Sequence, residues 1–232
     1  MIYDISPLIT TELAVFPGDV SFSRNVTLDM NKGDSLSLSS IVTTLHLGAH
    51  ADAPSHYHKD GVSIDQCSLS RYIGPCQVLD ASHVSGELNL KNLGPFDVVC
   101  ERVLFKTKSI LNVNQWQEDF SYLSPELVNS LAEKGVKLIG IDTPSMDFSK
   151  SKELETHLTF FKSKISILEG LVLDEIKSGN YLLVAFPLKI KDAEASPVRA
   201  VLIDSIHSIL NGSSPTVLSS LSGRRTDIED GF

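Results

Sequence analysis

The chain has 232 residues, 42% of them hydrophobic, with a mean hydropathy of +0.06 and a formal net charge of −9. That length and apolar content suit one α/β domain with a full core, and the acidic balance argues against nucleic acid or an anionic membrane as partner. Cys67, Cys76 and Cys100 are widely spaced and form neither a disulfide framework nor a zinc-finger pattern. No apolar run reaches the roughly 18 residues of a membrane span. The expected location is cytoplasmic, since a reducing compartment suits this cysteine usage. Met1 to Asp4 also lacks the basic start of a signal peptide.

Met1 to Ile5 reads as a short strand closed by Ser6-Pro7, and Phe16-Pro17-Gly18-Asp19 has the chemistry of a turn. Ser35 to Leu47 sets Ser and Thr among Leu, Ile and Val in near alternation, which predicts a long strand. Lys59-Asp60-Gly61 is a turn. Ser70 to Asp80 predicts a strand interrupted at Gly74-Pro75, and Val98 to Thr107 another. Ser124-Pro125-Glu126 opens a helix, with a capping hydroxyl, a proline fit for the first helical position and an acid for the dipole. Gly135 closes it. Val136 to Ile141 is nearly all apolar and predicts a strand buried on both faces.

Lys152 to Phe161 reads as a helix bearing His157, and Ile165 to Leu168 as a brief strand. Glu169-Gly170 is expected to lead into an apolar helix of about eight residues that ends near Gly179. Tyr181 to Phe186 and Val198 to Asp204 are strands with Pro187 and Pro197 at their edges. From about Asn211 the chain turns Ser-rich and then charged, a composition that buries little. The expected organisation is a single domain over residues 1–206 and a mobile tail over 207–232.

Four of the seven histidines lie between His46 and His58, with Asp52 among them. Gly48 and Pro54 disfavour a helix there. In an extended chain His46, His50 and Asp52 share one face while Leu45 and Leu47 take the other. Two imidazoles and a carboxylate are a donor set for Zn²⁺, Mn²⁺ or Fe²⁺, although the same spacing also describes a polar strand end. Pro54 is expected to turn the chain ahead of His56. Asp142 and Ser145, after the buried strand, either orient ligands from behind or cap the next turn. His58 is read as a peripheral or surface residue, and His83 and His207 have no acidic or histidine company.

The run His46-Leu-Gly-Ala-His50-Ala-Asp52-Ala-Pro-Ser-His56-Tyr57, followed by Gly61-Val-Ser-Ile64, resembles the metal-binding signature of the cyclase-like family of metal-dependent hydrolases. Phe16-Pro-Gly-Asp19, Leu138-Ile-Gly-Ile-Asp-Thr-Pro-Ser145, Ile167-Leu-Glu-Gly170 and Ala195-Ser-Pro-Val-Arg-Ala-Val201 agree in order, so the likeness spans about residues 1–204. It implies a swivelling β/β/α-type fold, α/β in class, with a mixed, barrel-like β core, flanking helices and assembly as a homodimer. By spacing alone His157 and Glu169 are ordinary residues. The resemblance makes them metal ligands that join His46, His50 and Asp52 in holding two divalent ions per subunit, Zn²⁺ or Mn²⁺, with Asp52 bridging.

The resemblance makes His56 a proton shuttle, while histidine's general ligand preference leaves open a third-ligand role on the first metal. It places Phe16 beside the substrate pocket, where sequence chemistry alone allows mere loop structure. The implied reaction acts on a small aryl formamide: N-formyl-L-kynurenine is hydrolysed to L-kynurenine and formate by a metal-activated water. Hydrolysis of another aryl or cyclic amide such as isatin, or non-catalytic metal binding, are the alternatives. No Gly-x-Ser-x-Gly elbow supports a serine nucleophile.

Overall fold

The computed structural model describes residues 1–204, so the tail expected over 207–232 lies outside the described residues. In chain order the strands and helices are β1 (Ile2–Asp4), β2 (Ser23–Leu28), β3 (Leu38–Val42), β4 (His50–Asp52), α1 (Pro54–Tyr57), β5 (Ile73–Asp80), β6 (Glu87–Leu88), β7 (Arg102–Lys106) and β8 (Tyr122–Leu123). They continue with α2 (Pro125–Glu133), β9 (Leu138–Ile141), α3 (Glu155–Ser163), β10 (Ser166–Glu169), β11 (Gly179–Val184), β12 (Ala195–Pro197) and β13 (Val201–Asp204).

Nine strands form one mixed, curled sheet in the order β1-β13-β11-β5-β7-β9-β10-β4-β12. Its centre, β5-β7-β9-β10, is parallel, and every other pairing in it is antiparallel. This is the mixed α/β architecture with flanking helices that the family resemblance implies. Alternation splits the core across the sheet. Val103, Phe105, Ile139, Ile141 and Ile167 pack with Leu127, Val128 and Leu131 of α2 and Phe160 of α3. Leu104, Leu138 and Leu168 point the other way, into a cluster with Leu171, Leu173 and Ile176.

The caps of α2 form as read: Ser124 accepts from the Leu127 N–H, Pro125 takes the first position, and Gly135 follows the end with φ +82°. Four expectations are corrected. The strand predicted over Ser35 to Leu47 shrinks to β3, which among the described residues pairs only with β2, in a separate, solvent-exposed ribbon. Beyond Val42 the chain bends, and Gly48 turns into the left-handed region. Gly74-Pro75 does not interrupt β5. The pairing of β5 with β7 begins at Cys76, so at Pro75 only the β11 side has a partner.

No helix forms between Gly170 and Gly179. A stretch of roughly eight residues is a marginal helix by itself, and tertiary partners take its backbone: Leu171 N–H donates to Ile141 O and Val172 N–H to Ile5 O. Pro54, finally, opens helix α1 where a simple turn was expected. Strand β12, which no periodicity announces in three residues, pairs with β4.

Candidate metal centre

The site is built where β4 meets β10. Their antiparallel register sets His50 opposite Glu169 and Asp52 opposite Ile167, so His50, Asp52 and Glu169 share one face. The intervening Ala51, with Ala49 and Ala53, packs into the core on the other side. His46 joins from the preceding bend, so it does not stand on the strand as the sequence predicts. Two glycines permit this: a Cβ on Gly170, whose φ is +64°, would lie 2.1 Å from the Gly48 carbonyl oxygen. Helix α3, whose Phe160 packs in the same cluster as Ile167, supplies His157 on that shared face.

The polar atoms converge. His46 Nδ1 is 3.1 Å and His50 Nε2 3.4 Å from Asp52 Oδ1. His157 Nε2 lies 3.5 Å from Asp52 Oδ2 and 3.4 Å from Glu169 Oε1, and His50 Nε2 lies 3.3 Å from Glu169 Oε2. Two triads therefore share Asp52: His46, His50 and Asp52, and Asp52, His157 and Glu169, with ligand atoms within 4.8 Å of one another in each. His50, Asp52, His157 and Glu169 are buried.

This donor set fits divalent cations on two counts. His50 Nε2 and both Asp52 oxygens are buried without a hydrogen-bond partner, a costly state for polar atoms unless an ion is meant to take them up. With its imidazoles neutral, the centre also carries two buried carboxylates, which demand positive charge. The imidazoles feel that demand. Burial opposes a charged His50, yet Asp52 and Glu169 push its pKa up to about 10. Burial likewise opposes a charged His157, and Asp147, Asp52 and Glu169 raise it well above the usual value. Asp52 is held low despite its burial by the three imidazoles around it.

Two of the imidazoles and one carboxylate are also held from behind. His50 Nδ1 lies 2.9 Å from Gly48 O, and His157 Nδ1 2.6 Å from Asp147 Oδ2, which turns Nε2 of each ring toward the carboxylates. The Met146 N–H donates to Glu169 Oε1 at 2.7 Å. Asp147 was not singled out from the sequence. Its only signals are a carboxylate just beyond Asp142-Thr-Pro-Ser145 and a helix, α3, that lacks a capping side chain of its own.

The other expected residues fall as follows. His56, on α1, is exposed to the cleft, its ring 4.2 Å from that of His46 and 6.1 Å from that of His157. Crowding by these groups desolvates it and lowers its pKa. Asp142 and Ser145 line the cavity without bonding any ligand: the Asp142 carboxylate accepts from Thr107 and Lys108, and Ser145 Oγ accepts the Asp147 N–H. Phe16 lines the same cavity, of about 450 Å³, and meets Trp116 edge-on at 5.0 Å. His58 stands apart, stacked on Phe161 at 3.8 Å. His83 is exposed and His207 lies outside the described residues.

Comparison with known proteins finds relatives of the whole fold. Residues 3–148 match the model of the putative cyclase family. The kynurenine formamidase of Sphingopyxis alaskensis is 38% identical over 205 residues, which cover 87% of this chain and 97% of that protein. A solved structure described as a potential metal-dependent hydrolase with cyclase activity superposes with a TM-score of 0.77 at 27% identity, over 88% of this chain and 98% of the other. Isatin hydrolase A from Labrenzia aggregata shares the fold, with a TM-score of 0.73 at 23% identity, over 88% of this chain and 94% of the other.

Proposed function

The chain belongs to the cyclase family, and we propose that it is an amidohydrolase that converts N-formyl-L-kynurenine to L-kynurenine and formate. The observation that carries this reading is the pair of ligand triads sharing Asp52 beneath an aromatic-rimmed cavity. The name borne by the Sphingopyxis relative supplies the substrate. His46, His50 and Asp52 would hold one divalent ion and Asp52, His157 and Glu169 a second, with Zn²⁺ or Mn²⁺ suited to these donors. Bound there, the ions supply Lewis acidity toward the formyl oxygen and lower the pKa of a water to about 7.

The protein's own groups do the rest. His56 takes the proton of the attacking water on its imidazole and returns it to the aryl nitrogen as the C–N bond breaks. A pKa lowered by desolvation keeps that ring unprotonated and ready to accept at neutral pH. Phe16 and Trp116, packed edge-on to each other, give the cavity an aromatic rim for the substrate's aryl ring. Asp147 and the Gly48 carbonyl hold the two imidazoles in the tautomer that leaves Nε2 free.

Formate release from N-formylkynurenine, measured beside isatin and simple formanilides on metal-analysed protein, tests the assignment. Saturable turnover of N-formylkynurenine above the others is expected. Fully loaded protein that opens isatin and leaves N-formylkynurenine untouched would replace the reading.

Assembly as a homodimer belongs to the same proposal. The β2–β3 ribbon exposes Val26, Leu38, Ile41 and Val42 to solvent, and a lone two-stranded ribbon is marginal in water. Light scattering should give twice the chain mass, and Ile41→Asp should lower it.

A further inference from the structure

Asp142 directly follows the buried core strand β9, yet its hydrogen bonds go to Thr107 and Lys108 and none to the residues of the two triads. Its carboxylate receives the Thr107 N–H at 2.8 Å and the Lys108 N–H at 2.9 Å, both on Oδ2, and the Thr107 hydroxyl on Oδ1 at 2.6 Å. Lys108 is held at φ +55°, a conformation that side-chain-bearing residues seldom adopt. The turn at 107–108 thus cradles a carboxylate with consecutive N–H groups, and the carboxylate in turn maintains the turn.

Proton accounting extends the contact. An ionised Asp142 only accepts, so the Thr107 hydroxyl must donate to it. Thr107 Oγ1 is then left to accept, and Ser109 Oγ, 2.8 Å away, is the donor. Ser109 Oγ accepts in its turn from the Ser121 N–H at 3.0 Å. One carboxylate therefore fixes the direction of a relay that ties together the two ends of the 109–121 loop.

That loop is a wall of the cavity. Ile110, Val113, Trp116 and Gln117 line it, and Val113 O accepts the Ala14 N–H from the facing segment that carries Phe16. The loop has little packing of its own: residues 111–115 are all exposed, Leu111 at 86%. Its position therefore leans on its ends together with the Val113–Ala14 bond and the Trp116 contacts.

We infer that Asp142 is a positioning residue for substrate: through Thr107, Ser109 and Ser121 it clamps the loop that presents Trp116 against Phe16, and so sets the aryl-binding wall of the cavity. Its kinetic consequence rests on the hydrolase reading above, and the clamp itself does not.

Trp116 is the chain's single tryptophan, so its fluorescence reports the loop directly. In Asp142→Asn one acceptor oxygen becomes an NH2 donor, which removes the acceptor either of the two backbone N–H groups or of the Thr107 hydroxyl, and so breaks the cradle or undoes the direction of the relay. Trp116 emission should shift to the red and become more quenchable by acrylamide, while bound metal stays at the wild-type level. KM for N-formylkynurenine should rise roughly tenfold, the scale of losing a hydrogen bond to a charged group, with a smaller change in kcat. Ser109→Ala, which deletes one hydroxyl at the far end of the relay, should move both readouts the same way and carries the test should Asp142→Asn fail to fold. Folded, metal-loaded variants with wild-type Trp116 emission and wild-type KM would overturn the inference. Wild-type protein inert toward N-formylkynurenine would defeat the substrate assignment alone, and the fluorescence would still decide the clamp.

Discussion

Asp147 and His157 are joined twice: Asp147 Oδ2 lies 2.6 Å from the ring Nδ1 and also accepts the His157 backbone N–H at 3.0 Å. The other oxygen accepts the Thr156 N–H at 3.0 Å. One carboxylate thus starts helix α3 and aims the His157 imidazole, so on the proposed reading helix stability and metal affinity depend on the same side chain. Asp147→Ala should weaken retention of the ion held through His157 by about 10–100-fold and cost about 1 kcal/mol as a lost cap. Asp147→Asn keeps an acceptor for the helix and loses the charge, so it should recover more stability than affinity. Metal analysis after dialysis and thermal melts of both variants check this; equal metal retention in all three proteins would refute it.

The sharing of Asp52 and Glu169 among buried imidazoles gives a pH signature. In metal-free protein the raised pKa of His50, about 10 against an ordinary value of 6.5, contributes stability that is full below pH 6.5 and lost as pH climbs toward 10. Cations must displace those protons, so apparent metal affinity should rise with pH over the same window and binding should release protons. The gap in Tm between loaded and metal-free protein should therefore widen from pH 6.5 to 9. A gap that narrows, or calorimetry showing no proton release, would contradict this account.

Close approach of Gly170 and Gly48 is the backbone counterpart. In Gly170→Ala the new methyl would meet the Gly48 carbonyl at 2.1 Å in a left-handed conformation. Since the carbonyl belongs to the chain between His46 and His50, relief of the clash moves ligands as well as backbone. A loss of roughly 2–4 kcal/mol in denaturant melts is expected, from left-handed strain plus a rigid contact, with reduced metal content at equal protein concentration. Wild-type stability and loading would show that the two loops need no such contact.

Much of this was legible in the sequence wherever local chemistry decided the outcome. Ser124, Pro125 and Gly135 mark α2 because caps and turns are set by neighbouring residues, and the all-apolar Leu138–Ile141 marks a buried strand. His50 and Asp52 share a face because strand period is local too. What escaped depends on distant partners. The irregular path after Gly170 is dictated by carbonyls of Ile141 and Ile5. Strand β12 exists because β4 needs a neighbour. His46 reaches the site from a bend, which period-two reasoning cannot foresee, and Asp147 sits ten positions from His157 with no repeat to connect them. His157 and Glu169 are singled out only through family likeness, since a helix packed on a strand brings them together with no sequence spacing to announce it.

The sharpest prediction separates His56 from the residues whose ligand atoms converge. His56 neither bonds Asp52 nor Glu169, and its ring stands at the open side of the cluster beside His46. As a proton shuttle it should be dispensable for metal binding: His56→Ala should keep its metal while kcat falls by about 10²–10⁴, the usual worth of general acid–base catalysis. Asp52→Ala should instead lose metal, because that carboxylate belongs to both triads. The leaving group distinguishes the roles further. A departing aniline of low basicity needs little protonation, so activated formanilides should suffer least in His56→Ala and unactivated ones most. Metal-free His56→Ala protein, or a loss of rate equal across all anilines, would mean that His56 is a ligand or a structural group and that proton delivery to the leaving nitrogen must come from elsewhere.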